Sequence, residues 1–153
     1  MRVLIVEDSA FNAYCLRRLL ESVIQSMASS VQVTIASNSQ AALLAIHNRC
    51  PDLVIIDGDL GALKRNTYFN GPELADILLH KYVDLPVIAW TDSDSMLQQF
   101  AHVFSQHQLQ LNEYNCWAKN ITMSHIYKSW SHYFSDFLGT QFNLYLPERP
   151  AYC

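Results

Sequence analysis

In the stretch Leu53-Val54-Ile55-Ile56-Asp57-Gly58-Asp59, four apolar residues run straight into a carboxylate, a glycine and a second carboxylate. Three other apolar stretches also end on polar groups. Val3-Leu4-Ile5-Val6 meets Glu7-Asp8, Val87-Ile88-Ala89-Trp90 meets Thr91, and Tyr114 to Ala118 meets Lys119. A carboxylate can act as a nucleophile or as an oxygen ligand for a hard cation. An ammonium can hold an anionic oxygen as a point charge. Taken one at a time, each group has a plain structural explanation: acids at a helix start, a threonine or aspartate cap, a solvated lysine. Their recurrence at successive strand ends favours a shared site.

The elements that must carry these groups follow from periodicity. The Leu53–Ile56 run has no alternating polar residue, as expected of a central strand buried on both faces of a parallel sheet. Val3–Val6 reads as a first strand, with Ser9 capping a helix that uses Phe11, Cys15, Leu16, Leu19, Leu20, Val23, Ile24 and Met27. Val31–Ile35 alternates like a strand, and a short helix follows to just before Pro51. Pro72 and Glu73 suit the first turn of a third helix bearing Leu74, Ile77, Leu78 and Tyr82. After the Val87–Trp90 strand, Asp92 or Ser93 caps a fourth helix, with Met96, Leu97, Phe100, Val103 and Phe104 in step. Tyr114–Ala118 gives a fifth strand. A last helix is expected from about Thr122 to Leu138, ended by Gly139. This alternation predicts an α/β fold: a doubly wound, five-stranded parallel sheet with helices on both faces. The strand ends then share one edge, where open α/β sheets bind their ligands.

At 153 residues the chain suits one domain, expected over 1–138, with 139–153 as a C-terminal tail. A net charge of −4 with scattered basic residues gives no footprint for nucleic acid. No segment is long enough to span a membrane, and the apolar start is too short for a signal peptide. Cys15, Cys50, Cys116 and Cys153 are widely spaced without a CxxC pair, so reduced thiols and a cytoplasmic location are expected.

With these motifs in this order, residues 1 to about 137 resemble the receiver domain of two-component response regulators. The resemblance implies the flavodoxin-like receiver fold and a phosphoacceptor role for Asp57, which would form an acyl phosphate. It implies a Mg²⁺ site from Glu7, Asp8, Asp57 and the backbone carbonyl of Asp59. Three crowded carboxylates repel by about 4 kcal/mol per close pair at moderate dielectric, which a divalent cation relieves. Lys119 and Thr91 would each hold a phosphoryl oxygen, Thr91 drawing its loop inward to shift a two-state surface. The implied donor is a histidine kinase or histidine phosphotransfer protein. Nothing after Leu138 is long enough for a DNA-binding domain, so output by contact with another protein is expected.

The sequence also departs from the family pattern. The loop after Asp57 is long and carries Lys64, Arg65, Tyr68 and Phe69, a candidate partner contact. Asn120 replaces the usual proline, and Cys116 replaces the usual switch aromatic. Asp92 stands where the family keeps a small residue, and is expected to slow phosphorylation by bulk and charge if it points inward. The last helix carries Met123, Ile126, Tyr127, Trp130, Tyr133, Phe134 and Phe137, more than a narrow core stripe. Core packing accounts for most of them, and a contact surface for a homodimer or partner is the sharper expectation, placed on Trp130 and Tyr133. Two alternatives stand beside the receiver. One is a phosphate-independent interaction module. The other is a haloacid-dehalogenase-like phosphatase, because Asp57-Gly58-Asp59 resembles that family's first motif.

Overall fold

The computed structural model describes residues 1–27, 29–62 and 69–142, with side chains to residue 135. Lys64, Arg65, Tyr68 and Cys153, and the side chain of Phe137, lie outside the described residues. In chain order the elements are β1 (Arg2–Val6), α1 (Ala10–Ser26), β2 (Gln32–Ala36), α2 (Ser39–Asn48), β3 (Leu53–Asp57), α3 (Gly71–Lys81), β4 (Val87–Trp90), α4 (Asp94–Gln106), β5 (Cys116–Trp117) and α5 (Met123–Phe142). All strand pairs are parallel, in the order β2-β1-β3-β4-β5. The sheet is thus doubly wound as expected, and its switch point lies between β1 and β3.

Local chemistry starts the helices where it should. Ser9 Oγ accepts the Asn12 N–H at 3.3 Å, Asn38 Oδ1 accepts that of Ala41 at 2.8 Å, and Ser93 Oγ accepts that of Met96 at 3.4 Å. The Asn70 N–H donates to Glu73 Oε2 at 2.8 Å, and Asn70 Oδ1 accepts the N–H groups of Leu60 and Ala62. Each satisfies helix-end or turn donors that would otherwise be orphaned.

Side-chain alternation along the strands splits the core in two. Leu4, Val6, Val54, Ile56, Val87 and Ala89 face α2, α3 and α4. Val3, Ile5, Leu53, Ile55, Ile88, Trp90 and Trp117 face α1 and α5. The structure also differs from expectation in its details. Phe11 is 75% exposed and Cys15 is exposed, because the buried stripe of α1 runs through Ala13, Leu16, Leu20, Val23 and Ile24 instead. β5 is only two residues long: Asn112 Oδ1 accepts the N–H groups of Tyr114 and Asn115, which bends that segment into a turn. α5 runs through Gly139 to Phe142, with non-helical backbone angles at Phe134.

The placement of Trp130 corrects the contact-surface expectation. It is 2% exposed and packs with Ile126 in the α1/α5 core, its ring 4.7 Å from that of Phe134. Tyr133 packs against the same core, and burial pushes its hydroxyl pKa up to about 12. Of the helix's large apolar residues, only Met123 and Tyr127 are exposed among the described side chains.

Candidate functional site

The site forms where β1, β3, β4 and β5 end. Register places Val6 beside Ile56, Asp57 beside Trp90, and Trp90 beside Trp117. Residues just past these positions therefore meet at one edge. Asp57 is 7% exposed, Glu7 is buried, and Asp8 beside it is exposed. One carboxylate oxygen from each of Glu7, Asp8 and Asp57 lies within 4.8 Å of the others.

Lys119 reaches into this cluster from beyond β5. Its Nζ is 2.8 Å from Asp57 Oδ1 and is also ion-paired with Glu7 Oε2. It lies 3.7 Å from the centroid of the Trp90 ring, in cation–π geometry. Asp57 Oδ1 accepts the Gly58 N–H at 2.8 Å, and Glu7 Oε1 accepts the Ser9 N–H at 3.0 Å. Burial pushes the Asp57 carboxyl up to about 6; the bond and charge of Lys119 oppose this, while the charge of Glu7 adds to it. The ammonium of Lys119 pairs with two of the three clustered carboxylates, Glu7 and Asp57, so the cluster keeps an excess of negative charge.

Thr91 is buried one residue past β4. Its N–H donates to the Trp117 carbonyl at 3.0 Å, and its Oγ1 accepts the Ser93 N–H at 3.2 Å. Gly58 separates Thr91 from Asp57, and a Cβ there would lie 2.9 Å from Thr91 Oγ1 and 2.7 Å from the Met96 side chain. Only hydrogen fits at that point. Gly71, at the start of α3, is tighter still, since a Cβ there would lie 2.0 Å from the Asp57 carbonyl oxygen. The Gly71 N–H donates to the Gly58 carbonyl at 2.8 Å, locking α3 against the end of β3.

One residue sits differently from the inward-facing alternative. Asp92 turns away from the carboxylates, and its Oδ1 accepts the Lys119 backbone N–H at 2.8 Å. Ser93, not Asp92, caps α4. Asp59 is exposed just past the cluster, where its side chain accepts the Gly61 N–H at 2.9 Å. Trp90 joins the site through its ring, against which the Lys119 ammonium lies. Its sequence signal, an aromatic immediately before the strand-end threonine, reads equally well as core. Cys116 is half-buried on β5, and burial raises its thiol pKa. Phe69, the described residue of the long loop's basic-aromatic set, is exposed.

The donor set consists of hard oxygens, and an octahedral Mg²⁺ with bonds near 2.1 Å spans about 4.2 Å between opposite ligands. Carboxylate oxygens within 4.8 Å of one another fit such an ion after small side-chain shifts.

Residues 3–128 match the family model of the response regulator receiver domain. Solved structures agree in fold. The receiver domain of NtrX from Brucella abortus aligns with 18% identity and a TM-score of 0.63, covering 87% of this chain and 98% of that one. A putative response regulator from Chloroflexus aurantiacus aligns with 19% identity and a TM-score of 0.65, covering 88% and 97%. The signal receiver domain of a modulated diguanylate cyclase from Desulfovibrio desulfuricans has 22% identity and a TM-score of 0.63, covering 92% and 97%. No curated protein sequence matches the chain.

Proposed function

The chain belongs to the response regulator receiver domain family of two-component signalling, and from that premise we propose that it accepts a phosphoryl group on Asp57. The observation that carries this reading is the buried Asp57 carboxylate, shared by the Lys119 ammonium and grouped with Glu7 and Asp8. Asp57 is the nucleophile: its carboxylate oxygen attacks phosphorus, the donor's leaving group departs, and an acyl phosphate forms. Glu7, Asp8, Asp57 and the backbone carbonyl of Asp59 are the ligands proposed for Mg²⁺. When bound, the ion neutralises carboxylate and phosphoryl charge. Lys119 shifts from the carboxylates to a phosphoryl oxygen, holding it as a point charge. Thr91 donates its hydroxyl to another oxygen and draws the β4–α4 loop inward.

The donor in this reading is a histidine kinase or histidine phosphotransfer protein, and the output is contact with another protein. A cytoplasmic location follows from that donor; no helix among the described residues is long and apolar enough to cross a membrane. Asp57 ends the third strand, and the side chain of Asp59 is engaged with its own turn. That arrangement favours a signalling receiver over a phosphatase. Incubation with acetyl phosphate and Mg²⁺, read by intact-mass spectrometry, tests the proposal. A gain of roughly 80 Da, lost when EDTA replaces Mg²⁺, is the expected result. No adduct in any condition would favour the phosphate-independent module.

A further inference from the structure

The β4–β5 ladder ends where the Thr91 N–H meets the Trp117 carbonyl. Beyond it the two segments leave the sheet, one turning into α4 and the other running on to Lys119. A single side chain continues the ladder: Asp92 Oδ1 accepts the Lys119 N–H at 2.8 Å, joining residues 27 apart. On one side of this link stands the buried Thr91 hydroxyl. On the other is the lysine whose ammonium meets Asp57, Glu7 and the face of Trp90. We propose that Asp92 is a positioning residue, which fixes the Lys119 backbone so that its ammonium reaches Asp57, and makes the Thr91 and Lys119 loops move together. The inference rests on the phosphoacceptor reading above.

The physical reason lies in the lysine side chain. Its four-carbon stem is flexible and loses rotamer freedom on each productive placement. Fixing the main chain at its root narrows the search, and a hydrogen bond to a carboxylate is among the stronger ways to do so. Asp92 is itself exposed, so its charge is screened at the site, whereas its bond to the Lys119 N–H acts directly. The Asp92 carboxylate accordingly works as an acceptor and not as a repelling charge.

Asparagine separates the two roles, because it keeps the acceptor oxygen and removes the charge. In the metal-free protein, Asp92→Ala should move the Lys119 amide resonance in a ¹H–¹⁵N spectrum, and Asp92→Asn should leave it near its native position. In labelling by acetyl phosphate with Mg²⁺, Asp92→Ala should be about three- to tenfold slower than the native chain, the span expected for one lost hydrogen bond, while Asp92→Asn restores most of the rate. In a Lys119→Ala background, Asp92→Ala should produce no further slowing. Faster labelling in both Asp92 variants would overturn the proposal in favour of charge restraint, as would an Asp92→Ala protein with unchanged amide resonance and rate. If the native chain takes no label, the phosphoacceptor reading fails, and the amide resonances still decide whether the link exists.

Discussion

On one face of the sheet, Leu4, Val6, Val54, Ile56, Val87 and Ala89 pack on α2, α3 and α4 through aliphatic side chains, with Phe100 and Phe104. On the other face, Trp90, Trp117 and Trp130 crowd between the sheet, α1 and α5, and the Trp117 Nε1–H donates to the buried Ser129 hydroxyl at 3.1 Å. The aliphatic face presses the start of α3 against the Asp57 backbone through Gly71. Among the described glycines, none has the tryptophan face as its nearest neighbour. Instead that face offers Lys119 a π surface. Asp57 is thus held by main-chain contact, while the Lys119 side chain lies along an aromatic ring. A backbone clamp tolerates almost no change, whereas a ring and two ion pairs tolerate some.

The sharpest way to break this contrast is Gly71→Ala. The new methyl has nowhere to go but into the Asp57 carbonyl, so unfolding in urea should show a loss above about 4 kcal/mol or no folded protein at all. A loss below about 1 kcal/mol would show that α3 slides freely and that the clamp is not one. Trp130→Ala comes next. Removal of a fully buried indole should cost about 3–5 kcal/mol in the same measurement. Native stability with altered self-association would instead return Trp130 to a contact surface.

Asp57 supplies a pH-dependent effect of intermediate size. Its carboxyl is raised from an ordinary 3.8 to about 6 in the fold. Between those values the unfolded chain releases the proton first, so the folded state binds more protons and stability falls as pH rises through this window. The displacement is worth at most about 3 kcal/mol. In metal-free buffer, Asp57→Asn should therefore raise the Tm above about pH 6 and lose that advantage below about pH 4. A Tm gain that stays the same across this range would contradict the buried-carboxylate account.

The smallest effect belongs to Trp90→Phe. The phenyl ring keeps a weaker π surface for Lys119, and the exchange removes an indole Nε1–H that is buried without a hydrogen-bond partner among the described residues. Those changes offset, and stability should move by less than about 1 kcal/mol. A loss as large as that of Trp130→Ala would mean that the tryptophan face is clamped as rigidly as the other.

The strand of Asp57 was legible in the sequence because burial on both faces removes polar alternation, a pattern that survives any detail of packing. Doubly wound topology followed from alternation alone, and the gathering of Glu7, Asp57, Thr91 and Lys119 at one edge followed from parallel strands. Other features depend on quantities that a linear pattern does not contain. Phe11 shares helical spacing with the core stripe, yet lies just outside its arc. The Trp90–Lys119 contact needs the β4–β5 register and the reach of a lysine stem. The direction of Asp92 is a rotamer choice, decided by a backbone N–H 27 residues away. Trp130 looked like surplus on a helix whose buried arc is wide enough to use it.

Intact mass after incubation with acetyl phosphate and Mg²⁺, on the native chain beside Asp57→Asn, tests the proposed phosphoacceptor role of Asp57 without intermediaries. An adduct of roughly 80 Da on the native chain and none on a folded Asp57→Asn protein is the expected result. The same adduct on Asp57→Asn, or none on the native chain, would contradict that role.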